Sequence, residues 1–133
     1  MISSASFKID LHIYPYTVLC SFGQGEADFI QFLRGHKIKK SVISELDYSL
    51  EHAEARAIHY KDYLTCVIRT RRVPKTPEQK GDLAHEIDHI STTILNSLGL
   101  YRTNASEEAY TYLAGYITSQ VYLNLKECRK KQV

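Results

Sequence analysis

Hydrophobic positions change their period along this chain, and the change divides it into two halves. From Phe7 to Tyr14 they alternate, with Phe7, Ile9, Leu11 and Ile13 on one side and Lys8, Asp10, His12 and Tyr14 on the other. Alternation of this kind predicts a half-buried strand. Pro15 interrupts it, Tyr16 to Phe22 predicts a second strand or a bent extension, and Gly23 and Gly25 mark a turn. Phe29, Phe32 and Leu33 then recur at helical spacing within Glu26 to Arg34, with Gly35 as the stop. Ser41 to Glu54 fits a loop or a short helix. Ala57 to Tyr60 and Tyr63 to Arg69 predict two strands around a Lys61-Asp62 turn, the second rich in β-branched residues.

The second half is helical. Thr76 can cap a helix, Pro77 suits its first position, and Gln79 completes a capping box. That helix runs to about Leu98, with Gly99 beyond it. A second begins at Asn104 or Ser106 and reaches about Lys126. At about 100° per residue, Leu83, Ile87, Ile90, Ile94 and Leu98 form one stripe, which must face the core. Strands first and long helices last predict an α+β fold. With 133 residues, the chain supports a single domain, 1–133.

Composition narrows the function classes. Apolar content of 44% and charged content of 24% are those of a soluble globular protein. No apolar run is long enough to span a bilayer. The net charge of +2 is too mild to argue for nucleic acid, and the basic clusters at 37–40, 69–72 and 129–131 fit solvated surface. Cys20, Cys66 and Cys128 are odd in number and far apart, which suits a reduced cytoplasm better than a disulfide framework. The N-terminal stretch lacks the basic start and apolar run of a signal peptide.

Chemistry concentrates in "LAHEIDHISTTILNSLGLYRTNASEEAYTYL", Leu83 to Leu113. His85 and His89, one turn apart, lie nearly opposite the apolar stripe, so both rings can address one ion without distorting the helix. Glu86 sits at the flank, displaced towards a metal-bound water. This is the H-E-x-x-H arrangement of zinc hydrolases. A catalytic zinc takes a third protein ligand. Thr92 and Leu95 exclude the version with a third histidine on the same helix, and no histidine follows His89. Glu107 and Glu108 remain, with Glu127 farther on. If Asn104 is the N-cap, Glu107 becomes the N3 residue with a capping role, which favours Glu108 as the ligand. If Ser106 is the cap, that preference weakens. Glu108 shares a face with Tyr112 and Gly115, and Gly115 would let the two helices approach closely.

"HEIDH" followed at this distance by "SEEAYTYLAGYI" resembles the gluzincin class of zinc peptidases, and especially the short metallopeptidases of bacteriophages and related mobile elements. The match covers Leu83 to Tyr116 well and the sheet loosely. It implies a minimal zincin-like domain. A small, mostly antiparallel sheet would pack on the H-E-x-x-H helix and on a C-terminal helix carrying the third ligand. It further implies zinc held by His85, His89 and Glu108, with Glu86 as general base. A phage-encoded chain would act in the host cytoplasm, on a peptide or protein substrate. Two departures stand out: Tyr112 occupies the place of an orienting aspartate, and the downstream histidine of larger gluzincins is missing.

In that chemistry Glu86 moves protons between water and the leaving amine. Tyr112 and Tyr110, with Arg102 behind them, are candidates to share the oxyanion charge. Tyr63 to Arg69 is the expected edge strand for an extended substrate, and His59 and His52 are possible cleft residues. Two other classes compete: a zinc-stabilised protein-interaction module without catalysis, and a small nucleic-acid-associated protein using the basic clusters.

Overall fold

The computed structural model describes residues 2–131. In chain order its elements are β1 (Ala5–Asp10), β2 (Thr17–Phe22), α1 (Glu26–Gly35), α2 (Lys40–Ile43), β3 (Ala55–Tyr60), β4 (Thr65–Thr70), α3 (Pro77–Ser97) and α4 (Glu107–Lys130). The strands form one sheet in the order β1-β2-β4-β3. β1 and β2 pair antiparallel, β2 and β4 parallel, and β4 and β3 antiparallel. The fold is α+β with a small mixed sheet, two of its three pairings antiparallel, as the order of periodicities predicts.

Both faces of the sheet are covered. Val18, Cys20, Phe22, Cys66 and Ile68 pack with Leu83, Ile87, Ile90 and Ile94 of α3 and with Leu113, Ile117 and Val121 of α4. Leu19, Val67, Ile58 and Tyr60 face the other way and pack with Phe29 and Leu33 of α1 and Ile43 of α2. Each fully buried aliphatic or aromatic side chain contributes about 1.5–3 kcal/mol. Two such clusters, back to back, hold the sheet between helical layers.

Sheet order corrects one expectation. Tyr63 to Arg69 is not an edge strand: β4 starts at Thr65, after a 3₁₀ turn at Lys61–Tyr63, and is hydrogen-bonded on both sides. Every β4 residue is buried. A continuous buried run of β-branched residues is the pattern of an interior strand, and proximity in sequence to α3 does not set lateral order. The edge beside α3 belongs to β3, whereas α4 packs on β1 at the other side.

Other differences are smaller. β1 ends at Asp10 rather than Tyr14, because the chain reverses there and the Leu11 N–H donates to the Tyr16 carbonyl at 3.2 Å. Ile13 is therefore 66% exposed at the loop tip. Leu98 caps α3 and is exposed instead of extending its apolar stripe. The segment 41–54 is a single helical turn followed by loop. Arg69 and Arg71 of the supposed surface cluster tie that loop down, Arg69 donating to the Tyr48 carbonyl at 2.6 Å and Arg71 bonding the Leu50 carbonyl. Arg69 is buried on the Phe29 ring, 4.5 Å from its centroid. Among the described residues, no helix is long and apolar enough to cross a membrane.

Candidate metal centre

The start of α3 is fixed by its own sequence. The Thr76 hydroxyl accepts from the Gln79 N–H at 3.2 Å, and the Gln79 side chain accepts from the Thr76 N–H at 3.2 Å. Pro77 fills the first helical position. With the helix anchored there and its apolar stripe on the sheet, His85 and His89 emerge together on an exposed face. Their Nε2 atoms lie 3.0 Å apart, with the rings edge-to-face at 4.5 Å. Two nitrogens held ~2.0–2.1 Å from one tetrahedral zinc are separated by about 3.3 Å. The pair therefore fits two sites on one ion with a small ring adjustment, and it equally allows one imidazole to donate to the other.

Glu86 sits on a flank of α3, and that flank faces β3. It is only 9% exposed, yet it makes no hydrogen bond or ion pair among the described residues. It lines a cleft of about 330 Å³ between α3 and β3, together with Arg56, Ala57, His59, His89 and Thr93. The residue is mostly buried, but its carboxyl oxygens are not among the buried unpartnered atoms, so they open onto this cleft and can be hydrated there. The two imidazole nitrogens are donors of the type zinc takes.

The acidic third ligand is not gathered with them. Among the described residues no three His, Cys, Asp or Glu side chains form a metal-binding group. Glu107 and Glu108 are both exposed in the first turn of α4. The cap of α4 is Ser106, not Asn104, so Glu107 is the first helical residue and has no capping role. The capping preference for Glu108 thereby loses its premise. Glu107 has another partner: Arg102 lies 3.5 Å from its carboxylate, 3.4 Å from Asp88 of α3, and 4.8 Å from the Tyr110 ring centroid. Glu108 has no ion pair among the described residues and is the less committed carboxylate. Gly115 is exposed with open space around it, so it does not mediate a close helix–helix approach.

Neither candidate tyrosine lines the Glu86 cleft. Tyr112 is 58% exposed and borders a smaller apolar hollow with Leu11, Ile13, Tyr14 and Tyr116. Tyr110 is buried, its hydroxyl held between Asn96 Oδ1 at 2.7 Å and the Leu100 carbonyl at 2.8 Å. It ties α4 to the end of α3. Exposed His52 is beside Glu51 and away from the cleft.

His59 is the residue that the sequence offered only faintly. Its register partner is Cys66, whose own partner is Val18, so all three share the α3 face of the sheet. Its Nε2 is 2.8 Å from the hydroxyl of buried Tyr16. Partial burial, and secondarily the nearby Lys61 charge, hold its pKa below the ordinary imidazole value. Strand alternation together with sheet order would have found it; alternation alone cannot say which strand borders α3.

Comparison of the chain with models of known protein families, with curated proteins and with solved structures returned no match.

Proposed function

We propose that the protein is a zinc-dependent peptidase acting at the cleft between α3 and β3. The observation that carries this is Glu86, a mostly buried residue whose carboxyl has no protein partner among the described residues and opens onto the cleft, next to two imidazoles whose Nε2 atoms are 3.0 Å apart. His85 and His89 would hold the metal, and Glu108, exposed and without an ion pair among the described residues, would complete the set. When bound, zinc would supply Lewis-acid polarisation and a water acidified towards pKa ~7.

Glu86 takes the proton released as water attacks the carbonyl carbon and delivers it to the leaving amine as the C–N bond breaks. Its confinement between α3 and β3 keeps the carboxyl within the cleft. The substrate lies extended along β3, whose outer backbone groups are free to pair with it because β3 is the sheet edge.

Glu86→Gln tests this. The variant should retain zinc and lose cleavage of an internally quenched peptide library by at least ~10²-fold, the scale of general-base catalysis. Equal cleavage by Glu86→Gln and wild type would remove the hydrolase and leave a zinc-stabilised interaction module as the better description.

A further inference from the structure

A peptidase cleft of this kind needs a donor for the carbonyl oxygen as negative charge develops on it, and neither Tyr110 nor Tyr112 lies in the cleft. We propose that His59, oriented by Tyr16, is that donor, and that it touches the substrate carbonyl through Nδ1–H. The inference rests on the hydrolase reading above.

Three observations bring the pair to this role. His59 belongs to the edge strand and lines the same cleft as Glu86 and His89. A peptide pairing with β3 therefore runs beside it. The Tyr16 hydroxyl is 2.8 Å from Nε2, on a residue only 5% exposed, with ring centroids 5.7 Å apart. Tyr16 is itself fixed, since its carbonyl accepts from Leu11 N–H and its N–H donates to the Tyr14 carbonyl at 2.8 Å.

The chemistry then follows from tautomers. A phenol donating to Nε2 of a neutral imidazole leaves the proton on Nδ1, which becomes a fixed donor. Nδ1 has no protein hydrogen-bond partner among the described residues. Donation to the carbonyl oxygen requires no proton transfer at His59; the protons travel through Glu86. Tyr16 acts only through the ring and is a positioning residue.

The test uses the full zinc-loaded chain with β-casein as substrate, comparing wild type, Glu86→Gln, His59→Phe, His59→Gln and Tyr16→Phe, with zinc content measured for each. His59→Phe should lower kcat about 10²-fold, with KM within twofold and zinc unchanged. His59→Gln, which keeps a donor, should recover part of the loss. Tyr16→Phe should lower kcat less, and nitrogen NMR of the imidazole should show His59 passing from one Nδ1–H tautomer to a mixture. That NMR readout needs no turnover: an Nε2–H tautomer in the wild-type protein overturns the proposal. So does a His59→Phe variant with wild-type kcat while Glu86→Gln is dead, a result that leaves the hydrolase standing. No casein cleavage by wild type, or cleavage surviving in Glu86→Gln, defeats the hydrolase and this inference with it.

Discussion

The two helices that would share a metal begin in opposite ways. α3 starts with a reciprocal capping box and a proline, all within Thr76 to Gln79. α4 starts at Ser106 without a side-chain cap of its own. Its position depends on contacts from elsewhere: Tyr110 with Asn96 and Leu100, Arg102 with Asp88 and Glu107, and the Ser106 hydroxyl donating to the Tyr101 carbonyl at 2.6 Å. The histidine pair is thus set by local sequence, whereas the carboxylates of α4 are set by tertiary contacts around a loop. A site built from both inherits rigid geometry on one side and adjustable geometry on the other.

Breaking the tertiary side should have the largest effect. Tyr110→Phe removes a buried hydroxyl that bridges Asn96 and the Leu100 carbonyl, and should cost up to about 1.5 kcal/mol. Hydrogen exchange should speed up in the first turn of α4 and remain unchanged at His85 to His89. Equal exchange changes in both helices would mean that the two starts are not independent.

Breaking the local side should cost about 1 kcal/mol, the usual loss for a Thr→Ala cap. Thr76→Ala should lower the unfolding free energy by that amount, with a matching fall in the denaturation midpoint, and fray α3 before α4. A larger loss at α4 would invert the comparison.

Arg102→Ala should be smaller still. Its ion pairs are partly exposed, and pairs of that kind contribute about 0–1 kcal/mol. Its value is as a probe of Glu107: if Arg102 only occupies that carboxylate, zinc affinity should hold or rise slightly in the variant, whereas a clear fall would give Arg102 a part in orienting the third ligand.

A titration sharpens the picture at His59. Its folded pKa lies below the ordinary value of 6.5, so the folded state binds this proton less readily than the unfolded chain. The associated stability is present above about pH 6.5 and lost as pH falls through the lower folded value. The difference in melting temperature between wild type and His59→Phe should therefore shrink from pH 7.5 to pH 5. A gap independent of pH would mean that His59 titrates normally.

The same contrast explains what the sequence revealed. α3 was legible to within one residue of its end, because Thr76, Pro77, Gln79 and the apolar stripe carry the information locally. The start of α4 was not: Asn104, Ser106 and the intervening alanine offer two plausible caps, and the choice depends on Tyr101, Thr103 and Tyr110. The flank position of Glu86 was legible, but a helical wheel does not show that β3 lies over that flank. His59 and the edge status of β3 were hidden for one reason: lateral strand order is a long-range property. The buried Arg69 looked like surface charge until the 44–54 loop folded onto it.

The measurement that bears most directly on the metal centre is zinc per chain, by elemental analysis after dialysis, for wild type, His89→Ala, Glu107→Ala and Glu108→Ala. The expected result is near-stoichiometric zinc in wild type and Glu107→Ala, with loss in His89→Ala and Glu108→Ala. Loss in Glu107→Ala alone would move the third ligand by one residue. Wild type that binds no zinc even after reconstitution would contradict the metal centre and return His85 and His89 to an ordinary solvated face.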